Sequence, residues 1–360
     1  MKYVAFIAEE YSEFDFSSGG IKLNFEILNK LRSLGFKVDV YSKKYEKIQN
    51  LMNNYYNFDE AKNIKSYEKY DIILSEKGIC DSDITYIHDH SYKYRIDNIK
   101  SGFAYIIYRI FSNKSHIKRY KKDLEIKENL KKISNIIVSS QVLKQDIIRN
   151  FNISENKITI IPPPILNLEC NKETTKNNIP ILGCSAIGFV RKGGYILLKS
   201  IRNLKKEKLK FKVKIIYNDY NKNFLIKLLI KIYGIENFIE FLPQQSDMDK
   251  FYKQIDFAIL PSLVEPFGMI GTEAMAHFKP VIASSKCGIC DFIDDNKNGF
   301  IANFERNKAE NLSIAMKKAI TLKKSEYTII AQNAGNSVKN LYIDNFIKEY
   351  FYLFTKKERT

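Results

Sequence analysis

Two glutamates, Glu265 and Glu273, bracket seven uncharged residues that include Gly268 and Gly271. The run 267–277 (FGMIGTEAMAH) reads as a helix, rich in Ala and Met. Its first backbone N–H groups, at Phe267, Gly268, Met269 and Ile270, then lack intrahelical acceptors. Unmet donors at the positive end of a helix make an anion site, and Gly268 lets a phosphate approach without a Cβ in the way. Met269 and Glu273 lie four apart and share a face, so Glu273 can reach a group attached to whatever binds the helix start. A carboxylate there suits paired hydroxyls such as those of a ribose. Glu265 precedes the helix and projects toward whatever is linked beyond the phosphates. One carboxylate for each end of a nucleoside diphosphate sugar, with main-chain donors between for the diphosphate, is the chemistry this spacing suggests.

A second group of candidates is Tyr86-Ile87-His88-Asp89-His90, which follows an apolar run. A two-residue spacing puts both rings on one face while the chain stays extended. Either ring can instead be a structural polar group, and a metal site would need further ligands that the neighbourhood lacks. Cys287-Gly-Ile-Cys290 is a lone C-x-x-C with no second pair to complete a zinc site, and reads as a structural loop. The five cysteines (80, 170, 184, 287, 290) are odd in number and widely spread, which fits reduced thiols and a cytoplasmic location.

The elements that must position these residues form two series. Residues 3–7 make an apolar run, Gly19-Gly20 opens a segment with Ile21, Phe25, Leu28 and Leu31 at helical spacing, and residues 36–41 alternate as a strand. Further runs at 72–74, 84–87, 136–138 and 158–161 extend a parallel sheet joined by right-handed crossovers. Pro162-Pro163-Pro164 stops the series, and a polar stretch at 169–178 reads as a linker. A second series has strands at 179–184, 212–217, 238–242, 257–260 and 280–283, with helical patterns at 223–233 and 248–254. A length of 360 residues, 45% hydrophobic, is compatible with two domains. The expected fold class is α/β, with two doubly wound Rossmann-like domains facing a cleft. The expected boundaries are 1–168, a linker at 169–178, 179–335, and a C-terminal helix at 336–360 returning to the first domain. No run of 18 apolar residues occurs, and the N-terminus turns acidic before it could form a signal peptide, so a soluble, unexported protein is expected.

The order Glu265-Pro-Phe-Gly, Glu273-Ala-Met-Ala and Lys279-Pro280-Val281-Ile282-Ala283 resembles the large family of retaining glycosyltransferases of GT-B architecture, family 4 in sugar-enzyme classification. Gly19-Gly20, residues 135–140 (NIIVSS), 157–162 (KITIIP), Arg191-Lys192-Gly193 and 295–301 (DNKNGFI) agree in order and spacing, so the resemblance covers nearly the whole chain. It implies that Glu273 binds the donor ribose, that Phe267, Gly268 and Met269 form the diphosphate-binding helix start, and that Glu265 contacts the donor sugar. It further implies that Gly19-Gly20 closes on the phosphates, that His88 (the better match) or else His90 contacts the sugar beside the reacting carbon, and that Lys192 neutralises the departing diphosphate. The sequence departs from the family in lacking a Gly-Arg pair before Lys192. Arg191 can substitute only if a turn at Gly193-Gly194 brings both cations to one side. Pro162-Pro163-Pro164 also stands where the family has Pro-Asn-Gly.

The resemblance implies an enzyme without metal or cofactor that transfers a sugar from a nucleoside diphosphate donor, with retention, to a glycan or lipid-linked glycan in surface polysaccharide or lipooligosaccharide synthesis. The alternatives are a catalytically silent glycan- or partner-binding protein and a synthase with a soluble acceptor. The formal charge is +17, and residues 93–149 hold fourteen Lys or Arg against five acids. The aromatic and aliphatic run 103–111, followed by Lys114, Lys118, Arg119, Lys121 and Lys122, is compatible with an anionic membrane surface held through residues 103–122 on the inner face of the membrane. The alternative reading of that run is a core-packed helix. No recognition motif for nucleic acid accompanies the charge, and none is expected as a partner.

Overall fold

The structure is a computed structural model that describes residues 2–12, 19–46, 52–66, 69–99, 103–165, 176–218, 220, 223–245 and 247–357. The chain divides into two compact units. One comprises Met1–Asp97, Tyr105–Pro164 and Leu341–Thr360, and the other Asn98–Ala104 and Ile165–Asn340.

The first unit runs β1 (Tyr3–Ser12), α1 (Gly19–Ser33), β2 (Lys37–Glu46), β3 (Asn54–Asn57), β4 (Ile72–Glu76), β5 (Ile84–Ile87), α2 (Tyr92–Ile99), α3 (Phe103–Lys132), β6 (Asn135–Val138), α4 (Gln141–Phe151) and β7 (Ile158–Ile160). Its seven strands are parallel in the order β3-β2-β1-β4-β5-β6-β7. β4 and β5 are buried at every position, as strands covered on both faces must be. The core gathers Val4, Phe6, Leu28, Leu31, Val38, Val40, Leu74 and Tyr86. Phe346 and Ile347, from a helix near the C-terminus, join the same cluster.

The second unit runs β8 (Ile181–Ser185), α5 (Gly194–Lys206), β9 (Lys212–Ile216), α6 (Phe224–Tyr233), β10 (Ile239–Leu242), α7 (Met248–Lys253), β11 (Phe257–Leu260), α8 (Met269–Ala276), β12 (Val281–Ser284), β13 (Gly299–Ala302), α9 (Lys308–Thr321) and α10 (Lys324–Ser337). The chain then continues into α11 (Ile343–Lys357), which belongs to the first unit. The six strands of the second unit are parallel in the order β10-β9-β8-β11-β12-β13. Each sheet reverses its winding once, beside its first strand: between β1 and β4, and between β8 and β11. The crevice at such a reversal, outside the carboxyl ends of the strands, is where doubly wound sheets place ligands. Both glutamates of the opening motif follow β11, and Arg191-Lys192 follow β8.

Two strands, β3 and β13, lie outside the expected set. β3 (NYYN) is an edge strand of mixed polarity whose end residues are exposed, and β13 (GFIA) is an edge strand of the other sheet that opens on a glycine. Helix α8 begins at Met269, two residues later than the pattern suggests, because Gly268 sits at φ 106° and caps the helix in the left-handed region. Residues 166–175, which include most of the expected linker, lie outside the described residues. No helix among the described residues is long and apolar enough to cross a membrane.

Candidate functional site

The two loops at the β8/β11 reversal are locked to each other by backbone. Residues 187–193 turn tightly, with the Lys192 N–H donating to the Gly188 carbonyl (3.0 Å) and Gly194 N–H to the Phe189 carbonyl (2.8 Å). Leu263 N–H donates to the Arg191 carbonyl at 2.9 Å, which ties the turn to the strand end. Gly193 makes the approach possible: it lies at φ 71°, and a Cβ there would overlap the Pro261 carbonyl.

This turn brings both cations to one side. Lys192 Nζ pairs with Glu265 Oε2, and Arg191 Nη1 lies 3.6 Å from the same oxygen while donating to the Val264 carbonyl at 3.2 Å. Ser262 Oγ donates to Glu265 Oε2 at 3.3 Å. Burial pushes the Glu265 carboxyl up, but Lys192 and Arg191 outweigh it and hold the carboxyl below its ordinary range. The Glu265 backbone is clamped by the C-x-x-C loop, its N–H donating to the Lys286 carbonyl (3.3 Å) and its carbonyl accepting from Gly288 N–H (3.1 Å). Cys287 is buried in that loop with its thiol pushed up to about 12, chiefly by burial, and it is not a reactive group. Cys184, Cys287 and Cys290 are free thiols, and no metal-binding cluster occurs among the described residues.

Phe267, Gly268 and Met269 form the start of α8, as the sequence suggests, but the Phe267 side chain is buried against Phe292, so only its backbone faces a ligand question. Glu273 sits one turn into α8, half-buried, with its carboxylate accepting from the buried Tyr252 hydroxyl at 2.6 Å. Nothing in the local sequence marks Tyr252, because its partner lies 21 residues away.

In the first unit Gly19-Gly20 opens α1, while the loop before them, residues 13–18, lies outside the described residues. Asn24 of α1 donates to Glu76 Oε2 at 3.3 Å. Glu76 ends β4, and its other oxygen meets His88 Nε2 at 3.2 Å and Lys77 Nζ at 2.7 Å. Burial raises the Glu76 carboxyl, but His88 and Lys77 overcome this and bring it down to about 2. His88 Nδ1 is buried without a hydrogen-bond partner among the described residues. His90 points elsewhere. Its Nδ1 meets Asp146 of α4 at 2.8 Å, and Asp146 also accepts from Ser91 N–H, Ser91 Oγ and Asn150 Nδ2. Thus His88 belongs to a charged cluster at the carboxyl ends of β4 and β5, and His90 to a buried polar network that ties α4 to the segment before α2. An acid closing an apolar strand, as Glu76 does, is the signal that could have found this cluster.

Comparison with known proteins follows this geometry. Residues 171–336 match the family model described as glycosyl transferases group 1. An uncharacterized glycosyltransferase of Haemophilus influenzae is 30% identical over 158 residues, 44% of either chain. A capsular polysaccharide biosynthesis glycosyltransferase, CapM of Staphylococcus aureus, is 28% identical over 238 residues, 60% of each chain. The sequence matches thus cover less than two thirds of these relatives' own lengths. WaaG, a glycosyltransferase involved in lipopolysaccharide biosynthesis, superposes with a TM-score of 0.74 at 17% identity over 96% of this chain and 98% of its own. That likeness establishes the GT-B fold, two parallel sheets with helices, across both units. The helix start, both glutamates and the Arg191-Lys192 turn all fall inside the matched segment.

Proposed function

We propose that the chain is a retaining, metal-independent glycosyltransferase that moves a sugar from a nucleoside diphosphate donor to a glycan or lipid-linked glycan acceptor in surface polysaccharide or lipooligosaccharide synthesis. The observation that carries this reading is the convergence of Lys192, Arg191 and Glu265 beside the start of α8 at the sheet reversal. In the proposed roles, Glu273 accepts from the ribose hydroxyls and the main-chain N–H groups of Phe267, Gly268 and Met269 hold the diphosphate. Gly19-Gly20 approach the phosphates from their own unit, and Glu265 and His88 contact the donor sugar. Lys192, with Arg191 in place of the family's usual arginine, offsets the charge that grows on the diphosphate as the glycosidic bond breaks. The acceptor hydroxyl attacks the anomeric carbon from the face the diphosphate leaves, and its proton passes to the departing phosphate oxygen. No protein nucleophile takes part. CapM and WaaG, both named for surface glycan synthesis, support this class of acceptor.

The test is a panel of UDP-, GDP- and ADP-sugars offered to the purified protein with a glycan acceptor, with the anomeric configuration of the product read by NMR. Transfer with retention is expected from one donor class. Binding of glycans without hydrolysis or transfer of any donor would replace this reading by a catalytically silent binding protein.

We further propose a peripheral position on an anionic leaflet, held through α3. The side chains of 103–116 lie outside the described residues, but Ile117 (64% exposed) and Tyr120 (56%) face solvent, interleaved with exposed Lys118 and Lys121. Apolar groups among lysines on an exposed helix suit a lipid interface. Co-sedimentation with vesicles containing acidic lipid at low salt, lost at high salt, is the expected result. An absence of binding at low salt would remove the membrane from the proposal.

A further inference from the structure

We propose that Tyr252 is a positioning residue for the donor nucleotide, fixing the Glu273 carboxylate in the orientation that accepts from the ribose diol. The inference rests on the glycosyltransferase reading above and adds to it a residue from a different helix. Tyr252 Oη donates to Glu273 Oε2 at 2.6 Å, short for a neutral donor and typical of a hydroxyl on a carboxylate. The ring is 1% exposed, so its direction is set by packing rather than by solvent. Burial, and then the neighbouring Glu273 charge, push the phenol well above its ordinary range, so it remains a donor at any working pH. Pinning one carboxylate oxygen sets the plane in which the other can accept, and a diol is recognised only if that plane matches it.

The support behind Tyr252 is built from two directions. Phe251, its neighbour on α7, packs over β8 where Gly183 leaves room: a Cβ at that position would lie 2.7 Å from the Phe251 ring. At the other end of α8, His277 lies between the two helices, its Nδ1 2.8 Å from the Glu273 carbonyl oxygen and its Nε2 3.1 Å from Asp249 of α7 without a hydrogen bond among the described residues. The His277 and Tyr252 rings pack with centroids 4.9 Å apart. Glu273 is therefore held at its side chain by Tyr252 and at its backbone by a residue whose ring packs against Tyr252.

The experiment measures dissociation constants by calorimetry for UDP, GDP and ADP, then for the 2′-deoxy and 3′-deoxy forms of whichever binds most tightly. Wild-type protein is expected to bind the ribonucleotide at least about tenfold more tightly than either deoxy form, since a site built around a hydroxyl is left unpaired without it. Tyr252→Phe is expected to keep its melting temperature within a few degrees, weaken the ribonucleotide about tenfold, and bring the deoxy-to-ribo ratio close to one. Adding Tyr252→Phe to Glu273→Ala should cause no further loss, because the hydroxyl acts through the carboxylate. A structure of the wild-type protein with the bound ribonucleotide should keep Tyr252 on Glu273 while Glu273 meets the ribose. This arm reads the proposal even if Tyr252→Phe fails to fold. A wild type that discriminates against the deoxy forms alongside a folded Tyr252→Phe with an unchanged ratio overturns this inference alone, as does a complex in which Tyr252 has released Glu273. A wild type that binds none of the three nucleotides overturns both the inference and the reading beneath it.

Discussion

At the scale of single residues, the site is a set of charges whose protonation is fixed by neighbours. Lys192→Ala removes a cation placed where charge is proposed to develop, so kcat is expected to fall by about 10²- to 10³-fold with a smaller change in donor KM, read from steady-state kinetics. Glu76 gives a prediction in stability. Its folded carboxyl lies at about 2, below the ordinary 4.5, so its contribution is fully present above pH 4.5 and is lost as the pH falls toward 2. That difference corresponds to roughly 3 kcal/mol. Glu76→Gln should therefore flatten the acid limb of a stability-versus-pH curve, measured by urea unfolding between pH 6 and pH 3. Asp123 behaves in the opposite sense, since burial and the Asp146 charge raise it from 3.8 to about 6, so stability is lost as the pH rises through that interval and stays lost above it. The residue types of the glutamate motif were legible in sequence, but their partners were not. Lys192 meets Glu265 across 73 positions, Glu76 meets Asn24 across 52, and only the folded sheet edge brings such pairs together.

At the scale of elements, the turn after β8 decides whether two adjacent cations can share one target. An extended chain would splay Arg191 and Lys192 apart, and the turn at residues 187–193 removes that difficulty. Gly188 and Gly193 both have positive φ, but they differ in surroundings. A Cβ at Gly188 would meet only Arg191 Nε at 4.0 Å, whereas one at Gly193 would overlap the Pro261 carbonyl. Gly188→Ala should cost about 1 kcal/mol from backbone conformation alone, and Gly193→Ala about 3 kcal/mol or more together with loss of activity, both read by urea unfolding. Most strands and helices were readable because buried parallel strands show as apolar runs and covering helices show their period. β3 and the true start of α8 were not readable: four residues of mixed polarity carry little pattern, and a glycine announces freedom without saying which hand the backbone takes.

At the scale of the whole molecule, the two sheets share one winding plan, and the chain leaves the second unit through α10 to place α11 in the first unit's core. Phe346 is buried there and packs edge-on to Tyr86, with ring centroids 6.4 Å apart. Phe346→Ala should destabilise the first unit by about 3 to 5 kcal/mol. In calorimetry the expected outcome is an early transition for that unit with the other left in place. Much of the large positive charge lies in residues 93–149, whereas at the start of α8 Glu265 already neutralises Lys192 and lies beside Arg191. On the proposed reading, an arriving pyrophosphate exchanges one anionic partner for another and displaces few mobile counterions. Nucleotide affinity should consequently vary only shallowly with ionic strength, while encounter rates, governed by the outer lysines, slow steeply as salt is added.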